Sequence, residues 1–229
     1  MYVPPLYQEQ TEAWMRTILE QYPLATFASN GPAVPYATHL PVIPAPETAP
    51  TGPLEGSVML CHMNRSNPHW AALEDGTQGR LIFAGPHSYI TPVDYQVTPA
   101  SPTWDFVAVH LAGRVEPLDG LEATLEVVTR TAELFEARFG AGWDASSSLD
   151  YFRSIGSGVG AFRFHVTSAD SMFKLSQEKS EDIRARVIER LATARRGAAR
   201  DLADLMSQYA LTSAPARAAG ERPADSGVA

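Results

Sequence analysis

A single cysteine, Cys61, stands in 229 residues, so no disulfide can staple the chain to itself. That scarcity fits a reducing compartment. No apolar run approaches the roughly 18 residues of a membrane span. No unit repeats at a fixed period, which argues against solenoids and propellers. The start, MYVPPLYQEQ, carries neither a basic leader nor an apolar signal region, so a cytoplasmic location is expected. Positive charge is also short. The formal net charge of −8 opposes nonspecific attraction to nucleic acid or anionic lipid. Nucleotide-binding loops of the GxxxxGKS/T kind, or GxGxxG after a strand, are missing. What remains is 45% hydrophobic and 19% charged, the balance of a chain that buries one large core or two small ones.

The apolar pattern divides into strands and helices. Residues 10–21 read as a short helix with Trp14, Ile18 and Tyr22 along one face, stopped by Pro23. LATFASN and AVPYATHLPVI read as two strands joined through Asn30-Gly31, a strong hairpin signal. SVMLCHM and RLIFAGP give two more, with a short helix at NPHWAALED between them. TWDFVAVHLAGRVEPL forms a long strand, and GVGAFRFHVTS and DSMFKLSQ a further pair. Leu121, Leu125, Val128, Ala132, Phe135 and Phe139 recur at helical spacing. A second helix covers residues 181–191, and Leu202, Leu205, Met206 and Tyr209 extend it as an interaction face. From Thr212 the chain turns Ala/Pro/Gly/Ser-rich, and fraying is expected. Six or seven strands without regular βαβ alternation predict an α+β protein: a closed or nearly closed β-barrel with peripheral helices. Pairing of exposed strand edges with a second copy would make it a dimer.

The stretch LCHMNRSNPHW concentrates possible chemistry. His62 and His69 are seven apart with Pro68 between them, so no helix presents both on one face. His39, His87, His110 and His165 lie in separate segments, and no metal site is expected. Cys61, inside an apolar strand, reads as a small buried hydrophobe. Arg65, Asn67 and a helix start at Pro68 would together cradle an anion. The plainer alternative is an Asn N-cap beside a surface arginine, and spacing alone favours it.

Six segments in order then carry a resemblance: MYVPPLY, THLP at 38–41, HMNRSNPHW at 62–70, FAGPHSYITP at 83–92, PTWDFVAVHLAG at 102–113 and KLSQEKSEDIR at 174–184. Together they resemble the PaiB-type FMN-binding split-barrel proteins, often labelled negative transcriptional regulators. The resemblance implies a split β-barrel over residues 1–195, with a C-terminal helical extension and frayed tail over 196–229. It also implies a homodimer with FMN at the subunit interface. By position, Arg65 and Asn67 would hold the phosphate, with His62 on the same wall and Thr38 and His39 on a strand facing the ring. Ser88, Tyr89 and Ile90 would border the isoalloxazine. Trp104 would approach from the dimer partner, and Lys174 and Gln177 would donate to phosphate or ring oxygens. If chemistry occurs, His39, Tyr89 or Asp105 would handle protons.

Three readings of function follow. The first is an FMN-dependent oxidoreductase acting on a small molecule, as in specialised metabolism. The second is a flavin-binding transcriptional regulator, although no helix-turn-helix is visible and RLATARRGAAR is the one basic segment. The third is a heme-binding or heme-degrading protein, with His62, His87 or His165 as axial ligand. The chain also departs from the family pattern. KLSQEKS stands for KLSQNRS, PTWD for PTWN and ITPVDY for ISPSWY, which introduces Glu178, Lys179, Asp105 and Asp94. The added negative charge is expected either to weaken binding of a phosphate-bearing cofactor or to suit a cationic substrate.

Overall fold

A computed structural model describes residues 1–8, 11–195 and 197–212. Six strands close into a barrel in the order β1-β2-β3-β6-β5-β4. They are β1 (Leu24–Ser29), β2 (Tyr36–Pro44), β3 (Val58–Asn64), β4 (Gln78–Ile90), β5 (Thr103–Pro117) and β6 (Val159–Lys174). The helices are α1 (Glu12–Gln21), α2 (Pro68–Ala71), α3 (Pro92–Tyr95), α4 (Leu121–Phe139), α5 (Leu149–Ile155), α6 (Glu181–Ala192) and α7 (Gly197–Thr212). This is the predicted α+β barrel with peripheral helices. The two last predicted strands are one, β6. The predicted strand that stops at Ser168 continues through Ala169, because ladder pairing involves backbone and tolerates outward-facing polar side chains such as Thr167 and Ser168.

Register explains the core. Phe27 pairs with Thr38 and Leu81, Cys61 with Val42 and Phe162, and Met59 with Phe164. Side chains alternate along a strand, so these residues share the barrel interior. There Phe27, Phe83, Phe162 and Phe164 are fully buried. Residues one step out of phase face outward. Ile43, Leu60 and Ala161 form an outer cluster with Val127 of α4, which is why α4 carries an apolar stripe. Cys61 is buried, and burial pushes its thiol up, as expected of a small hydrophobe.

The chain divides into two units: Met1–Gly85 with Val107–Lys174, and Pro86–Phe106 with the described residues from Leu175 onward. In the second unit α6 ends at Ala192 and α7 begins anew at Gly197, so the predicted single extended helix is two. The two pack against each other, and Leu202, Leu205 and Met206 are buried. The proposed interaction face is thus interior packing. The tail expected to fray beyond Thr212 lies outside the described residues, as do Gln10 of the predicted first helix and Arg196 of the basic segment. Among the described residues no helix is long and apolar enough to cross a membrane.

Candidate functional site

In the first unit the site is built around the turn between β3 and α2. Asn67 caps α2: its Oδ1 accepts from the His69 backbone N–H at 3.0 Å. Its Nδ2 donates to Thr38 Oγ1 at 3.0 Å. Both ends of the amide are therefore engaged within the chain, and Asn67 shapes the turn from inside. Arg65 is exposed and anchored twice: its backbone N–H donates to Gly158 O at 2.9 Å and its Nε to Val159 O at 2.8 Å. Its guanidinium also lies 5.1 Å from the Trp70 ring centroid, within cation–π range. The backbone anchor occupies Nε, so the two Nη groups are the donors left to face an anion.

His69 is the piece that the sequence did not single out. It is 1% exposed. Its Nε2 lies 2.9 Å from Ser29 Oγ and its Nδ1 2.9 Å from Thr38 Oγ1. The ring stacks on Phe27 at 4.6 Å between centroids and on Tyr36 at 5.0 Å. It closes one end of the barrel and locks Thr38, and through Thr38 the Asn67 amide, in place. Only tertiary structure reveals this; the sequence signal is no more than an Asn-Pro helix start.

Gly160 has an equally specific role. A Cβ added there would fall on the Trp70 indole, well inside van der Waals contact. Gly160→Ala is therefore expected to push Trp70, and Arg65 with it, off position. FMN affinity should fall at least severalfold, with a stability cost of about 1–3 kcal/mol from overpacking. Titration with FMN together with urea unfolding checks both, and unchanged affinity would remove Trp70 from the platform.

The other predicted residues distribute as follows. His39 is exposed and points away from Thr38, because neighbours on a strand face opposite sides; its Nδ1 pairs with Thr26 Oγ1 at 3.0 Å. A ligand on the Thr38 face does not meet His39 of the same copy. His62 lies on the outer side of β3, opposite Cys61, and its Nδ1 is buried with no hydrogen-bond partner among the described residues. Lys174 ends β6 with Nζ 5.8 Å from the Tyr7 ring centroid. His165 bonds Glu116 Oε2 at 2.5 Å, which occupies its Nε2.

In the second unit, Trp104 Nε1 donates to His87 Nδ1 at 3.3 Å, and Tyr89 lies 6.1 Å from Trp104 between centroids. Tyr89 and Trp104 are 52% and 48% exposed, which leaves aromatic faces open to a planar partner. Ser88 is half-buried, its hydroxyl 3.4 Å from Tyr89 O. Ile90 is fully buried, so only its backbone can border a ligand. Gln177 Oε1 accepts from Leu175 N at 2.7 Å.

Of the acidic departures, Asp94 and Asp105 point inward and Glu178 lies at the surface, and each has a partner within this unit. Asp105 is fully buried and accepts from Ser176 Oγ at 2.6 Å. Asp94 is buried and pairs with Arg190 at 3.1 Å, and Glu178 pairs with Lys179 at 3.7 Å. Lys179 also sits 4.8 Å from the Tyr95 ring centroid. Burial, then the charges of Asp105, Glu178 and Asp94, push the Tyr95 phenol up. These residues do not form an open pocket for a cation. A carboxylate as buried as Asp105 does not reach a diffusing substrate. Arg190, part of the one basic segment, is likewise committed to Asp94. Among the described residues, no three His, Cys, Asp or Glu side chains gather as metal ligands.

Burial holds His62 and His69 below the usual imidazole range, and His110 too, with help from Arg80. The unfolded chain then binds protons more readily than the folded one. Stability is expected to be complete above about pH 6.5 and to be lost as pH falls below it. Urea midpoints at about pH 8 and about pH 5 check this, with the lower value expected at pH 5; equal midpoints would contradict neutral, buried imidazoles.

A closed six-stranded barrel flanked by helices, with a cationic turn at one end, defines the split-barrel fold of flavin-binding proteins. By fold the chain is similar to the FAD and heme binding protein of Mycobacterium smegmatis, with a TM-score of 0.54 and 16% identity over 78% of this chain and 80% of that one. It is also similar to the flavocytochrome Anf3 of Azotobacter vinelandii, with a TM-score of 0.51 and 13% identity over 78% of this chain and 75% of that one. It is 26% identical over 207 residues to protease synthase and sporulation protein PAI 2 of Bacillus subtilis (strain 168), covering 90% of this chain and 96% of that protein. The profile of the family described as "Putative FMN-binding domain" matches residues 1–168. The chain belongs to this FMN-binding family of the PaiB type, and FMN is the cofactor that membership assigns.

Proposed function

We propose that the protein is an FMN-dependent oxidoreductase acting on a small molecule as a homodimer. The observation that carries the reading is the Arg65 turn: a guanidinium fixed through its Nε and a ring platform, with its Nη donors left for an anion of phosphate type. The orphaned Nδ1 of His62 adds an unsatisfied polar atom on β3, the strand that leads into this turn. In the second unit, Tyr89 and Trp104 offer faces suited to a flat heteroaromatic ring, and Gln177 there and Lys174, which ends the first unit, carry further donor groups. When bound, FMN supplies hydride chemistry; the chain supplies orientation, charge and proton handling. Of the proton-handling candidates, His39 and Tyr89 are exposed enough to meet a substrate. Dimerisation is supported by the outward face of β1 and β2, where Leu24 is 66% exposed and Ala37 and His39 are open.

The test is anaerobic mixing of the FMN-loaded protein with NADH or NADPH, followed by a panel of small-molecule acceptors. Bleaching of the flavin band faster than for free FMN, and its return with an acceptor, is expected. A flavin that neither nicotinamide reduces faster than in free solution would sink the oxidoreductase reading and leave a binding or regulatory role. A sedimentation profile of a monomer at micromolar concentration would remove the dimer.

A further inference from the structure

A cavity of about 130 Å³ opens beneath α1, at the other end of β2 from Thr38. Its walls are apolar, with Val42, Met59 and Phe83 from the barrel and Phe135 from α4. Its rim is not. Arg16 and Glu20 of α1 and Arg138 of α4 line the opening. Arg138 donates from Nη1 to the Glu20 carbonyl at 2.6 Å and from Nη2 to Glu20 Oε2 at 3.0 Å. Arg16 donates from Nη2 to the carbonyls of Gly52 and Pro53 at 3.0 and 3.2 Å, and these acceptors are neutral. Among the described residues Arg16 forms no ion pair. The rim thus carries two guanidiniums and one carboxylate, and that carboxylate pairs with Arg138 alone.

We propose that this cavity binds a one-ring hydrophobic monocarboxylate, with the ring on the apolar walls and the carboxylate on Arg16. The size agrees: dry apolar cavities of about 150 Å³ take up a benzene ring. The charge agrees as well, since a guanidinium bonded only to carbonyls gains a charge-assisted pair when a carboxylate arrives. Nothing in the proposal depends on flavin binding, because the cavity and its rim lie wholly within the first unit.

The test is calorimetric titration of the full chain with benzoate and, separately, with benzyl alcohol. Benzoate is expected to bind with Kd on the order of 0.1–1 mM, and benzyl alcohol at least tenfold more weakly. Arg16→Gln should weaken benzoate about tenfold or more. Glu20→Gln should tighten it severalfold by releasing Arg138 from its internal partner. Leu19→Trp, at a half-buried position lining the cavity, should abolish binding while circular dichroism reports an unchanged fold. No benzoate binding, equal binding of the alcohol, or a Glu20→Gln variant that binds more weakly would each overturn the proposal.

Discussion

Replacing Arg65 by alanine is expected to weaken FMN binding by about 10- to 100-fold, because a hydrogen bond to a charged group contributes about 1.5–3 kcal/mol. The fold should survive. Arg65 is exposed, and what it gives the unliganded chain is the bond to Val159 O and the contact with Trp70. The cation–π part is worth about 0.5–1 kcal/mol at an exposed site. A stability change near that size, alongside a large loss of affinity, separates a ligand-binding arginine from a structural one. Arg65→Lys sharpens the distinction. Lysine keeps the charge but has no Nε to donate to Val159 O while presenting a planar pair of donors outward, so an intermediate affinity is expected. A lysine variant as tight as the original would show that charge alone matters and that the anchored geometry does not. Fluorescence titration of the FMN isoalloxazine reads both variants directly.

His69→Ala is expected to have the largest effect on stability, about 3–5 kcal/mol. Two contributions add. The substitution empties a space between Phe27 and Tyr36, where stacked aromatic contacts are lost. It also leaves the hydroxyls of Ser29 and Thr38 without their ring partner in a buried setting. His69→Phe separates the two, since phenylalanine restores the ring but bonds neither hydroxyl. It should recover the packing share and leave about 1–3 kcal/mol of unsatisfied polar cost. Because Thr38 also accepts from Asn67, both variants should loosen the β3–α2 turn and lower FMN affinity further than stability alone accounts for. Chemical unfolding of the two variants decides it. If His69→Phe were as unstable as His69→Ala, the hydrogen bonds would matter more than the stack; if neither lost stability, His69 would not be a keystone.

The barrel was legible in the sequence because burial on one side of a strand imposes a period of two, and Asn30-Gly31 marks its hairpin. The long helix α4 was legible because its apolar stripe covers the outer face of the barrel. Errors arose where polarity and backbone pairing part company. The predicted strand stops after the exposed pair Thr167 and Ser168, yet β6 runs on to Lys174, and the short α3 and α5 are too brief to leave a period. The break between α6 and α7 falls at Thr193–Arg195, with no proline to announce it.

At the site, Arg65 and Asn67 were legible as a pair, but their roles differ: one faces outward, the other is consumed by the cap and Thr38. His69, Trp70 and Gly160 were not legible as partners of that turn, because stacking and close approach join residues far apart in sequence. The acids Asp94, Asp105 and Glu178 read as a charged pocket only while Arg190, Ser176 and Lys179 were unassigned. Folding brings Arg190 against Asp94 and the Ser176 hydroxyl against Asp105, while Glu178 is met by its neighbour Lys179.

The most direct measurement is the absorption spectrum of the purified chain after incubation with FMN and removal of the excess. Bands near ~375 and ~450 nm retained at about one FMN per chain, and lost in Arg65→Ala, are the expected result. A colourless protein, a Soret band in place of the flavin bands, or an Arg65→Ala variant that retains FMN undiminished would contradict a flavin held at the Arg65 turn.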